Sequence, residues 1–206
     1  MPHIEHKGWP SASQLKELFP KPSIDMWIQS VGKEKAKSLL VASQEYGNHI
    51  HEVIGNFLTG VDSKVAEGEF DSRLLNSIDK FLIENSLTVT FVEKHMSTET
   101  LRIHGTPDLI CSDLSGDLVI VDWKTGGLLD GLAFLQLVIY SYIVRDITKG
   151  QCKIGYLCKI EKDSGKVIPI RVENLDKWDW LVEGLAHKWW DERKIGQADA
   201  KEEGEL

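Results

Sequence analysis

Along this chain the spacing of apolar residues changes near residue 85, and the change separates two kinds of element. Before it, apolar positions recur every three or four residues, the spacing of one helix face. Residues 11–19 read as a short helix with Ser11 or Ser13 as N-cap, ended by Pro20, Lys21 and Pro22. Residues 23–31 read as a second helix stopped by Gly32. Residues 34–58 form a long amphipathic helix through Tyr46, Ile50, Val53, Ile54 and Phe57. Residues 60–68 read as a loop and 72–84 as a further helix.

After residue 88 the period falls to two, as in strands. Residues 88–94 and 100–104 alternate as strands, and 106–113 pairs with 118–124 around Ser115 and Gly116. Residues 130–146 are apolar nearly all round, which predicts a buried helix. A hairpin follows at 153–161 and 166–172, turning at Asp163, Ser164 and Gly165. Residues 176–193 close the pattern, with Trp178, Leu181, Val182, Leu185 and Trp189 on one stripe. This order predicts one α/β (α+β) domain, a central mixed β-sheet flanked by helices with an N-terminal helical lead-in. The domain is assigned to residues 1–195, with the lead-in at 1–60 and the core sheet and crossover helix at 88–172. Residues 196–206 are expected to be a flexible acidic tail.

Composition narrows the classes. With 206 residues the chain is long enough for one domain, and 42% hydrophobic and 27% charged residues suit a globular fold. The apolar stretch at 132–144 is interrupted by Gln136, Tyr140 and Ser141, short of the roughly 20 residues of a membrane span, so no membrane partner is expected. The N-terminus lacks an apolar signal core, and three scattered cysteines predict reduced thiols. The expected location is therefore cytoplasmic. The net charge of −8 argues against a large basic footprint but is compatible with an acidic metal site.

The chemistry concentrates in residues 105–126. Leu118, Ile120, Asp122 and Lys124 share one strand face, and Val119, Val121 and Trp123 share the other. A three-residue turn of Leu114, Ser115 and left-handed Gly116 sets Asp113 against Asp117 and hence Asp108 against Asp122. A two-residue turn would set Asp108 against Trp123 instead. Directly opposed residues have Cβ atoms about 4.5–5.5 Å apart, and carboxylates so placed repel unless a positive group lies between them. A divalent Mg²⁺ or Mn²⁺ fits that need. Lys124 would then stand beside it, able to orient or deprotonate an attacking water; the alternative is a plain Asp122–Lys124 ion pair at a strand end. On the long helix, Gly47 and Gly55 flank His51 on one face, which implies close approach of another backbone or a ligand. His49 faces away. Gln136 and Tyr140 lie one turn apart on the buried helix and need partners there.

Together, Gly47-x-x-x-His51, Gly105-Thr106-Pro107-Asp108, Asp122-Trp123-Lys124-Thr125-Gly126 and Gln136-x-x-x-Tyr140 resemble the RecB-like, phage-type exonuclease branch of the PD-(D/E)XK nuclease superfamily. The lead-in from Ser11 to Gly32 resembles phage-type members as well. The resemblance implies a restriction-endonuclease-like core and a metal-dependent DNA nuclease, an exonuclease acting in recombination, repair or phage DNA processing. It carries over His51, Asp108 and Asp122 as metal ligands, with the Trp123 carbonyl as a further one, and Asp108, Asp122 and Lys124 as the catalytic set. It gives Gln136 and Tyr140 a substrate-binding role and leaves Glu93 as a second-layer candidate. It implies Mg²⁺ or Mn²⁺ as cofactor, one ion or two. Some relatives hold an iron–sulfur cluster on four cysteines; three cannot supply one, so no cluster is expected. The implied partners are single-stranded or duplex DNA ends, in a bacterial or phage-infected cell, with room for a single-strand annealing protein or a homo-oligomer. The other reading is a non-catalytic DNA-end or protein-binding module that kept the fold. For gripping a strand by stacking, Trp27, Trp123, Trp178, Trp180, Trp189 and Trp190 are available, with Trp178 and Trp189 better explained as core. Lys33, Lys35 and Lys37 give a local positive run.

Overall fold

The chain was analysed as a computed structural model, which describes residues 8–19, 22–61, 68–126 and 131–203. The expected break at 20–21 and most of the loop at 60–68 lie outside the described residues. Ser11 caps α1 (Ala12–Glu17) through a capping box: its hydroxyl accepts from the Gln14 N–H, and the Gln14 side chain accepts from the Ser11 N–H. Helix α2 (Pro22–Val31) is joined to α3 (Lys33–Thr59) by Gly32 alone, at φ +86°, a conformation that strains any residue with a Cβ. Helix α4 (Glu69–Glu84) follows.

The main sheet has the order β1-β4-β5-β6-β7, formed by Thr88–Val92, Leu109–Ser112, Leu118–Lys124, Ile154–Ile160 and Val167–Val172. β5 and β6 run parallel and the other neighbours antiparallel, so the sheet is mixed as expected. Helix α5 (Gly131–Thr148) provides the crossover that a parallel pair requires. It is long and apolar enough to cross a membrane by length and composition, yet ten of its residues are buried within the fold.

The alternating pattern of β5 divides the interior. Ile120 joins a core with α1, α5 and the C-terminal helix α6 (Asp179–Glu203), together with Ile110 of β4. Val119, Val121 and Trp123 join a second core with α3 and α4 on the opposite face. Trp123 is 2% exposed and meets Phe81 edge-on, so its indole is withdrawn from any strand-stacking role.

Three expectations change. The strand expected at 100–104 is displaced to β3 (Ile103–Gly105), which pairs with β2 (Met96–Thr98) as a separate two-stranded sheet. The reason is a turn between them, with Arg102 at φ +53° and the Thr98 and Thr100 hydroxyls both donating to Asp146 at the end of α5. Trp178 leaves the core stripe: it lies in a 3-10 turn (Leu175–Trp178), 40% exposed, before α6 (Asp179–Glu203) begins. Val182 and Leu185 keep their places in the core. Finally, α6 runs on past residue 193 to Glu203, into the expected tail, where Gln197, Ala198, Ala200, Lys201, Glu202 and Glu203 are strong helix formers.

Candidate active site

The β4–β5 hairpin has the register expected of a three-residue turn. Gly116 takes φ +84°, the Asp113 N–H donates to the Asp117 carbonyl, and Leu109 pairs with Val121 and Ile110 with Ile120. One step further, the same register sets Asp108 opposite Asp122. Asp122 shares the β5 face of Ile120, which α5 covers, while Asp108, just before β4, reaches His51 of α3. Asp122 is fully buried, and its Oδ1 has no partner among the described residues. Lys124 Nζ lies 2.6 Å from Asp122 Oδ2 and pairs with that oxygen. Asp108 Oδ2 accepts from the Trp123 N–H at 2.8 Å, and Asp108 Oδ1 lies 3.4 Å from His51 Nδ1.

Helix α5 supplies the next layer. Gln136 Oε1 accepts from Lys124 Nζ at 3.2 Å, and Gln136 Nε2 donates to the Tyr140 hydroxyl at 2.8 Å. The two residues singled out by their one-turn spacing therefore partner each other, and Gln136 holds the lysine. Gln136 Oε1 also accepts from Lys16 Nζ of α1, at 2.6 Å. Lys16 gave no signal in the sequence: a single lysine on a six-residue helix has no periodicity to mark it.

The electrostatics follow from this burial. Loss of water, and then the facing Asp108, push the Asp122 carboxyl up from its ordinary range, against the pull of Lys124. For His51, burial works to lower the pKa, but the Asp108 and Asp122 carboxylates outweigh it and leave the imidazole above its ordinary value. Burial likewise raises the Tyr140 phenol, so it stays protonated.

Two glycines of the sequence motifs are explained by close approach. A Cβ on Gly105 would lie 2.7 Å from the Tyr140 ring, and a Cβ on Gly47 3.2 Å from Thr125 Oγ1. A Cβ on Gly55 would meet the Glu93 carboxyl at 3.8 Å, ordinary contact. The Glu93 N–H donates to the Asp108 carbonyl, which ties the β1 end to the site. An open groove of about 680 Å³ runs here, lined by Gly47, Asn48, His51, Gly55, Glu93 and Thr125 among others. His49 is exposed outside the groove.

The fit to a metal can be tested on these contacts. Among the described residues no three His, Cys, Asp or Glu side chains form a ready-made metal cage. Instead Asp122 is paired with the Lys124 ammonium, and the Asp108 carboxylate lies beside the His51 imidazole. The buried Asp122 Oδ1 is nonetheless unpartnered among the described residues, which is costly, and a divalent cation would satisfy it. Two carboxylates with an adjacent imidazole are a donor set suited to Mg²⁺ or, with the imidazole, Mn²⁺.

Comparison with known proteins gives the family and the fold. A family model described as the PD-(D/E)XK nuclease superfamily matches residues 32–203. Among solved structures, an alkaline exonuclease (LHK-Exo) from Laribacter hongkongensis is similar over 96% of this chain and 93% of its own, at 13% identity and a TM-score of 0.52. The LHK-Exo complex with dAMP is similar over 97% and 94%, at 12% identity and a TM-score of 0.51. At such identities the likeness is one of fold. No curated protein matches the chain in sequence.

Proposed function

The chain belongs to the PD-(D/E)XK nuclease superfamily, whose members typically use divalent metals, and from this premise we propose that it is a metal-dependent deoxyribonuclease, an exonuclease acting on DNA ends. The observation that carries the reading is the buried Asp122 carboxylate, held by Lys124 at Oδ2, left without a partner at Oδ1 among the described residues, and opposite Asp108. A module that only binds DNA ends or protein has no use for so unfavourable a group. The fold shared with an alkaline exonuclease supports the choice of exonuclease, and the dAMP bound to that relative supports a nucleotide substrate.

In this reading Asp108, Asp122 and His51 hold Mg²⁺ or Mn²⁺, with the Trp123 carbonyl as a further oxygen. The bound ion supplies Lewis-acid charge that polarises the phosphate and acidifies water. The protein does the rest. Lys124 Nζ orients the attacking water and offsets charge developing on the phosphate. Gln136 fixes that ammonium, and the Tyr140 hydroxyl fixes the Gln136 amide. The Trp123 N–H holds Asp108 in place.

The test is a gel assay with end-labelled linear single- and double-stranded DNA and a closed circle, each with Mn²⁺, Mg²⁺ or EDTA. Loss of linear DNA alone, absent with EDTA and in Asp122→Ala, is the expected result, and the label position gives the polarity. Nicking of the circle would make the enzyme an endonuclease. No cleavage of any substrate by folded protein would favour the binding module.

A further inference from the structure

Lys16 is not a mobile surface lysine. Its helix is held by Leu15 at 0% and Ala12 at 1% exposure and by the Ser11–Gln14 capping box. That anchorage, 120 residues away in sequence, delivers Lys16 Nζ to Gln136 Oε1 at 2.6 Å, where Lys124 Nζ also donates at 3.2 Å. Two ammonium groups thus converge on one neutral amide oxygen of a residue that is 8% exposed. Lys124 is also paired with Asp122 Oδ2 at 2.6 Å, so Lys16 brings a second positive charge to the same amide oxygen, beside the one already matched to that carboxylate. A phosphate oxygen is a stronger partner for an ammonium than an amide oxygen is, and ammonium–phosphate contacts are among the strong hydrogen bonds.

We propose that Lys16 and Lys124 form a two-ammonium clamp for a phosphodiester group, with Gln136 Oε1 holding the pair apart when the clamp is empty. Lys16 is then a phosphate-binding residue of the site. The inference rests on the nuclease reading above and deepens it by naming a substrate contact from α1. Lys124 turns to the phosphate while Lys16 holds a second oxygen, so the strand is fixed from the α1 side as well as from β5.

The experiment measures binding rather than turnover. A fluorescein-labelled oligodeoxythymidine is titrated by anisotropy at several salt concentrations, once in EDTA and once in Ca²⁺. The proteins are the parent, Lys16→Gln, Lys16→Arg and Lys80→Gln, an exposed control on α4; thermal melts accompany each. Lys16→Gln is expected to weaken binding about tenfold. It should also flatten the plot of log affinity against log salt by about 0.7, the loss of one phosphate contact to a single strand. Lys16→Arg should restore most of both, and Lys80→Gln should change neither. An unchanged salt slope for Lys16→Gln, with or without a lower melting temperature, would overturn the clamp and make Lys16 a brace for Gln136. Failure of the parent to bind the oligonucleotide in either condition would instead overturn the nuclease reading, and the clamp with it.

Discussion

On the sheet face covered by α3 and α4, β5 presents Val119, Val121 and Trp123, all apolar, to a core that includes Ile50, Val53, Phe81 and Tyr156. On the face covered by α1, α5 and α6 the same strand begins alike, with Ile120 fully buried, and then presents Asp122 and Lys124. Gln136 and Tyr140 of α5 stand over them. The first face is assembled mainly by packing, with the Tyr156 hydroxyl donating to Asn85 Oδ1. The second gives up packing at one strand end to bury a carboxylate held by Lys124 and left unpartnered at Oδ1 among the described residues. Packing thus accounts for one face, and the unfavourable burial on the other is where the proposed chemistry would lie.

Changes on the two faces should therefore separate activity from stability. The largest effect is expected from Lys124→Ala, which should lower single-turnover cleavage by at least about 10²–10³-fold, with some loss of melting temperature because buried Asp122 loses its ion pair. On the opposite face Trp123→Ala should cost about 3–5 kcal/mol, read by urea unfolding, because the indole fills the contact with Phe81. Gly105→Ala should cost about 1–3 kcal/mol, since its methyl would meet the Tyr140 ring. In a Tyr140→Ala background that penalty should largely vanish, and a double-mutant cycle of melting temperatures checks it.

The smallest effect has the opposite sign. In EDTA, Asp122→Asn should be more stable than the parent near pH 8, by about 2–4 °C in melting temperature. The folded-state pKa of Asp122 is raised, to about 6, by burial and by Asp108. A raised pKa means that the fold favours the protonated acid. That stability is present below the unfolded value near 4 and is lost as pH rises through about 6. The advantage of the asparagine variant should accordingly shrink as pH falls from 8 to 4, and melting curves across that range will show it.

Much of the fold and part of the site could be read before the structure. Local rules sufficed for the hairpin: Gly116 in a three-residue turn fixes the register, and the register faces Asp108 with Asp122. Strand alternation likewise separated Asp122 from Trp123. What escaped depends on contacts distant in sequence. β2 has three residues, too few for a period, and its turn is held by Asp146 of α5. Trp178 fits the helical stripe by spacing, yet a 3-10 turn shifts it out of register. The reason for Gly105 is the Tyr140 ring, and the reach of Lys16 depends on α1 packing against α5.

The central proposal is that the buried Asp122, opposite Asp108 and with Oδ1 unpartnered among the described residues, serves to bind a divalent cation. Titration calorimetry with Mn²⁺ on the parent and on Asp122→Asn, paired with melting curves, tests it most directly. The account predicts that Mn²⁺ binds the parent and raises its melting temperature, and that both responses are lost in Asp122→Asn although that variant is folded. Equal heats and equal melting shifts in the two proteins would contradict it.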